Sequence, residues 1–283
     1  MIERIEVCEG ITLAVDFAGP STAPVLVLSN SIGANFHMWD EVAALLAGKL
    51  RIIRYDTRGH GLSQIGLEPI AIETLGSDVI AILDRLGIER AILCGLSLGG
   101  LTAQWLGVNH ARRFQGLILA NTAANFPPPQ MWHDRAKTVR EQGMAPLVGA
   151  TLERWFTRSF RDREPERMSE VSEMIASNSC EGYARCCEVL AQTDMAGAIA
   201  EIRLPVRVIC GAHDPSTSPE RAKELVWAIP NSDLVTLDAA HLSSIEAPEE
   251  FAKAVLNFVD GVVGPSSSKD TALVRRISDA YLA

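Results

Sequence analysis

Ser97 lies in Gly95-Leu96-Ser97-Leu98-Gly99-Gly100, a G-x-S-x-G pattern in which a serine hydroxyl can act as a nucleophile. The apolar run Ala91-Ile92-Leu93-Cys94 leads into it, and the helix-like stretch Leu101–Leu106 leaves it. A turn this tight between strand and helix leaves no room for side chains at Gly95 or Gly99. It also holds the serine in a strained backbone conformation with its hydroxyl above the sheet edge. The Ser97 and Leu98 amides then open the helix, where unpaired N–H groups and the positive dipole end favour an anion. A glycine-rich turn with an incidental serine fits the pentapeptide alone. The strand before it and the helix after it favour the nucleophile.

A serine hydroxyl is a weak nucleophile and needs a base that a carboxylate orients. For this turn the expected chain order is serine, acid, histidine. His241, in Leu237-Asp238-Ala239-Ala240-His241-Leu242, follows the last predicted strand. The other histidines suit less well: His37 and His60 precede the serine, His110 ends its helix, His133 falls in a helical insert, and His213 reads as a loop residue. Asp214, in Cys210-Gly211-Ala212-His213-Asp214-Pro215, comes just past an apolar strand and is the favoured acid. Asp56 also ends a strand, but in the wrong order, and is expected to cap its Arg-Gly loop. Asp238 competes only if its loop folds back, and the strand before the insert ends in Asn121, which removes another acid position. Removing one oxyanion donor typically costs about 3–4 kcal/mol of transition-state stabilisation, so a second donor is expected beside Leu98 N–H. Ile32 N–H, in Ser29-Asn30-Ser31-Ile32-Gly33, is the candidate.

These residues must be held by strands that alternate with helices. Strands are predicted at Ile2–Val7, Thr12–Phe17, Val25–Leu28, Arg51–Tyr55, Ala91–Cys94, Leu117–Ala120, Val206–Cys210 and Leu234–Leu237. Helices are predicted at Trp39–Leu46, Ile72–Leu86, Glu220–Ala228 and Pro248–Asp260. From Asn121 the alternation stops at Pro127-Pro128-Pro129, and helical stretches follow at Met131–Glu141, Leu147–Trp155, Glu166–Ala176 and Tyr183–Thr193. The reading is a mostly parallel eight-stranded α/β sheet with helices on both faces, built from residues 1–124 and 204–263. A helical cap, 125–203, is inserted in it. Functional groups then gather at the C-terminal ends of the strands.

With 47% hydrophobic residues the chain can bury a full core, and its net charge of −9 argues against nucleic acid. The N-terminus is too charged for a signal peptide and no apolar run is long enough for a bilayer, so a cytoplasmic protein is expected. Six cysteines without a C-x-x-C read as buried structural thiols rather than a disulfide framework or a metal site.

Taken together, several segments resemble the 3-oxoadipate enol-lactonases, α/β-hydrolases of aromatic degradation. They are Asn30-Ser31-Ile32-Gly33 with His37-Met38-Trp39-Asp40, Tyr55–Gly61, the serine turn, Leu119-Ala120-Asn121-Thr122-Ala123 and Asp238–Ser243, with Glu153-Arg154-Trp155-Phe156 and Glu181-Gly182-Tyr183-Ala184 in the cap. The resemblance runs from about Ile5 to Val259. It implies an α/β-hydrolase fold, Ser97, Asp214 and His241 as triad, Ile32 and Leu98 amides as oxyanion hole, no cofactor, and a small anionic lactone carrying an acetate arm. That arm needs a cation, for which the cap offers Trp132 with Arg135 and Arg154 with Trp155. A monomer or weak homo-oligomer is expected. The tail from Gly264, Gly264–Lys269 as linker and Asp270–Ala283 as a short helix, departs from stand-alone members, which end near Asp260. It reads as an appended helix or the vestige of a fusion to a carboxymuconolactone decarboxylase domain. A broad carboxylesterase or perhydrolase-type enzyme is the alternative, since fold and triad do not select a substrate. A ligand-binding regulator on the same fold is a third reading, which an intact triad disfavours.

Overall fold

Short runs of aliphatic and β-branched residues form the strands of the computed structural model, which describes residues 2–264. The strands are β1 (Ile2–Cys8), β2 (Ile11–Ala18), β3 (Val25–Ser29), β4 (Arg51–Tyr55), β5 (Ala91–Leu96), β6 (Phe114–Ala120), β7 (Val206–Gly211) and β8 (Ser232–Leu237). They form one sheet in the order β1-β2-β4-β3-β5-β6-β7-β8. The β1–β2 hairpin joins β4 antiparallel, and every pairing from β4 onward is parallel. Burial follows position: all six residues of β5, in the middle, are buried, whereas the edge strands β1 and β8 each bury a single residue and leave the rest exposed or half-buried. A central strand covered on both faces reads as a continuous apolar run. Each fully buried side chain such as Ile92 or Leu93 contributes about 1.5–3 kcal/mol.

The crossovers are helical: α1 (Asp40–Leu46), α2 (Ile72–Arg85) and α3 (Leu98–Asn109) precede β6. Five helices lie between β6 and β7: α4 (Pro129–Gln142), α5 (Ala145–Trp155), α6 (Arg158–Arg163), α7 (Pro165–Ala176) and α8 (Cys180–Gln192). Then come α9 (Pro219–Ala228), the short α10 (Ser243–Glu246) and α11 (Pro248–Val263). The α4–α8 insert sits directly on the sheet's loops. A Cβ on Gly182 would lie 2.0 Å from the Gly59 carbonyl, so only glycine lets the two backbones approach.

Three expectations change. The insert contains α6, which the periodicity reading missed because six residues rich in arginine carry one buried apolar side chain, Phe160. A 3₁₀ turn, Phe36–Trp39, precedes α1 where a single helix from Trp39 was expected. Cys94, Cys186, Cys187 and Cys210 are buried thiols, but Cys8 is exposed and Cys180 half-buried. The expected linker and helix beyond Gly264 lie outside the described residues. Among the described residues no helix is long and apolar enough to cross a membrane.

Candidate active site

At the end of β5 the chain turns through Ser97 at φ 57° and ψ −111°, outside the regions an L-residue favours. The turn is closed on both sides. A Cβ on Gly95 would fall 2.0 Å from the Gly99 carbonyl oxygen, and one on Gly99 would fall 2.3 Å from that of Ser29. Neighbouring strand ends fasten it: Ser97 N–H donates to Ala120 O (3.0 Å), Gly99 N–H to Asn30 O (3.0 Å), and Thr122 Oγ1 to Ser97 O (2.8 Å). The Ser97 amide is thus committed, which leaves Leu98, at the first position of α3, as the helix-end donor.

Asp214, after β7, and His241, after β8, meet through a 2.8 Å bond between Oδ2 and Nδ1. Both side chains are buried. Asp214 Oδ2 also accepts from Thr217 Oγ1 (2.7 Å) and Asn121 Nδ2 (3.0 Å), and Oδ1 from the amides of Ser216 (2.7 Å) and Thr217 (3.0 Å). Burial would raise this carboxyl's pKa, but the imidazole and the Thr217 hydroxyl and amide outweigh it and hold the group at about 2. An ionised, fully bonded carboxylate on Nδ1 leaves Nε2 as the nitrogen free to take a proton. The competing acids are elsewhere. Asp56 accepts the Phe36 and Leu62 amides, each at 2.8 Å, and burial raises its pKa. Asp238 pairs with His213 at 2.8 Å on the surface.

Ser97, Ile32 and His241 open on to a cavity of about 250 Å³ whose far wall is the insert. Trp132, Arg135, Arg154 and Trp155, the four residues singled out in the insert, all line it. The Arg135 guanidinium lies 4.7 Å from the centre of the Trp132 ring, and Arg154 Nη2 donates to Thr151 Oγ1 at 3.1 Å. Burial and then the charge of Arg135 lower the pKa of Arg154. Burial pushes the Tyr183 phenol, on the same wall, up to about 12 in spite of the Arg135 cation beside it. Among the described residues no carboxylate lines the cavity.

Sequence reasoning missed several of these partners. Asn121, at φ 40°, appeared only as a lost acid position, yet its amide bridges Asp214 and the Ala240 carbonyl. Thr217, three residues beyond Asp214, carried an Asx-turn signal that could have found it. Arg221 brings a third guanidinium to the cavity from α9, where a helix beginning Pro-Glu-Arg gives no sign of it. Its Nη2 donates to Asn125 O (2.9 Å) and Oδ1 (2.7 Å), and its Nε lies 3.0 Å from the Glu224 carboxylate. Among the described residues no group of three His, Cys, Asp or Glu is placed to hold a metal.

Residues 24–248 match the family model of the alpha/beta hydrolase fold. The chain belongs to the α/β-hydrolase family. It is 44% identical over 245 residues to 3-oxoadipate enol-lactonase 2 of Acinetobacter baylyi, covering 86% of this chain and 92% of the relative. With 3-oxoadipate enol-lactonase 1 of the same organism it shares 39% over 254 residues, 90% of this chain and 95% of the relative. The crystal structure of the enol-lactonase from Burkholderia xenovorans LB400 superposes with a TM-score of 0.88 at 39% identity, covering 91% of this chain and 99% of that one.

Proposed function

We propose that this chain is a serine hydrolase that opens the enol-lactone of 3-oxoadipate. Ser97 Oγ attacks the lactone carbonyl while His241 Nε2 takes its proton, and Asp214 holds the imidazole and stabilises the imidazolium. The Ile32 and Leu98 amides receive the developing oxyanion. Collapse breaks the acyl C–O bond and expels the ring oxygen as an enolate, which protonates to the ketone. Acyl and leaving groups belong to one molecule, so both stay on Ser97 until His241 activates water to release the acid.

The observation that carries the substrate class is the charge of the cavity. Arg135, Arg154 and Arg221 line it, no carboxylate among the described residues does, and Ser97 and His241 open into the same space. Two half-buried guanidiniums, one of which depresses the pKa of the other, favour an anionic ligand, and the acetate arm supplies one. On this reading residues 125–203 form a cap that reads the acetate arm, over a core of 1–124 and 204–263 that does the chemistry. These steps call on no cofactor, and the free thiols of Cys94, Cys186, Cys187 and Cys210 fit a cytoplasmic setting.

Steady-state hydrolysis of the enol-lactone beside p-nitrophenyl acetate, with Ser97→Ala as control, tests the proposal. A strong preference for the lactone that vanishes in Ser97→Ala is expected. Turnover of the ester with none of the lactone would overturn the substrate assignment and leave a general esterase.

A further inference from the structure

The loop that carries His241 is fastened to the insert on both sides of the histidine. Ala240 N–H donates to Glu246 Oε2 at 2.8 Å, and Leu242 N–H donates to the Trp155 carbonyl at 3.0 Å. The same Glu246 carboxylate accepts the Thr157 backbone N–H, 3.1 Å from Oε1, and the Thr157 hydroxyl. Trp155 ends α5 and Thr157 caps α6, so both tethers finish in one three-residue joint. Arg154 and Trp155, at that joint, line the cavity. The loop's carbonyls are held from the opposite side, by the core: Asn121 Nδ2 donates to Ala240 O at 3.1 Å and His213 N–H to Ala239 O at 3.0 Å.

We propose that Glu246 is a positioning residue for His241, and that through it the placement of the base depends on the α5–α6 joint of the insert. The inference rests on the roles given above to Ser97, Asp214 and His241. Asp214 bonds Nδ1 and so decides how the imidazole is turned, but where the ring stands depends on the backbone at 240–242. Of the amides flanking His241, that of Leu242 ends on the joint beside the arginine-lined wall directly and that of Ala240 reaches it through Glu246. A ligand carboxylate that draws Arg154 towards the cavity therefore acts on the base through three residues of chain and one side chain. A carboxylate suits the task because both oxygens accept; an amide would present one acceptor and one NH₂ that cannot accept from Ala240 or Thr157.

Glu246→Gln keeps the shape and gives up one of the two arms. Its kcat should fall about 10–100-fold on the lactone and on p-nitrophenyl acetate alike, the scale that small misplacements of a catalytic group produce. The KM for the lactone should stay within about twofold, since the arginine wall is untouched. Thr157→Val removes the hydroxyl arm together with the cap it gives the Phe160 amide, and should lower kcat per folded molecule by about 2–5-fold, whereas Thr157→Ser keeps the wild-type value. A residue that merely stabilises the fold would lower Tm and leave kcat per folded molecule unchanged. That result, or a rise in KM without a fall in kcat, overturns the proposal. If Glu246→Gln does not fold, the Thr157 pair decides: equal kcat in Thr157→Val and Thr157→Ser overturns it. Ser97→Ala is assayed alongside. Turnover surviving there breaks the serine reading itself, while an inactive Ser97→Ala beside a fully active Glu246→Gln breaks only the role of Glu246.

Discussion

Two walls of one cavity differ in how fully their charges are answered. On the strand side, Asp214 takes five hydrogen bonds, one of them from His241. On the insert side, Arg154 is half-buried near the like charge of Arg135, and no carboxylate among the described residues lines the space they share. On the proposed reading the first wall is complete before any ligand arrives, as a preorganised reaction centre must be. On the same reading the second takes its counter-charge from what binds, which would place affinity and chemistry in different layers of the molecule.

The sharpest way to break that separation is Ser97→Ala. It should lower kcat by a factor on the order of 10⁵–10⁶ while calorimetry finds the lactone's affinity unchanged. An equal loss of binding would mean that the two walls act as one. Asp214→Asn should lower kcat by about 10⁴ with little change in KM, because an amide cannot accept from the imidazole N–H and keep its other donors satisfied. Since the wild-type carboxyl titrates at about 2, below its ordinary 3.8, its contribution to stability is complete above that ordinary value and is lost as pH falls from there through about 2. Acid melts of wild type and Asp214→Asn should converge below that window.

Arg135→Met and Arg154→Met sharpen the comparison from the other wall. Each removes a charged hydrogen-bonding group, so KM for the lactone should rise by about 10–100-fold, while kcat/KM for the uncharged p-nitrophenyl acetate hardly moves. Equal losses on both substrates would show that the wall shapes the site rather than reads charge. The smallest effect concerns the boundary between the two regions, where His60 lies buried with its ring 6.3 Å from that of Tyr183. Burial lowers its pKa from 6.5 to about 4, so the unfolded chain binds a proton that the folded one refuses. The stability this gives is complete above pH 6.5 and is lost as pH falls to about 4. Between pH 7.5 and 5, His60→Asn should lose about 2 kcal/mol less than wild type in urea melts, with no change in kcat at pH 7.5.

How much of this was legible in the chain varies with how local the cause is. The strand–turn–helix around Ser97 was readable because steric exclusion at Gly95 and Gly99 operates within five residues. Asp214 was separated from Asp56 and Asp238 by chain order, and the structure gives those two carboxylates other partners, the Phe36 and Leu62 amides for one and His213 for the other. Asn121 was read only as a lost acid position: that it reaches Asp214, 93 residues away, no local pattern records. Arg221 and Glu246 were invisible for the same reason, each lying on a helix whose composition suggests only a solvated face. The helix α6 was lost because its one buried side chain gives no periodicity.

By itself, then, the sequence determined the alternation that builds a parallel sheet, the strained turn at Ser97, the order in which Ser97, Asp214 and His241 follow one another, and the arginines and tryptophans available in the insert. Periodicity, turn sterics and chain order are properties of neighbours, and neighbours are what a sequence lists. Only the tertiary structure decided that Asn121 and His241 complete the bonding of Asp214, that Arg221 joins Arg135 and Arg154 around one cavity, and that Glu246 links the His241 loop to the insert. Those are distances between residues far apart in the chain, set by how strand ends and helices pack once the core is closed.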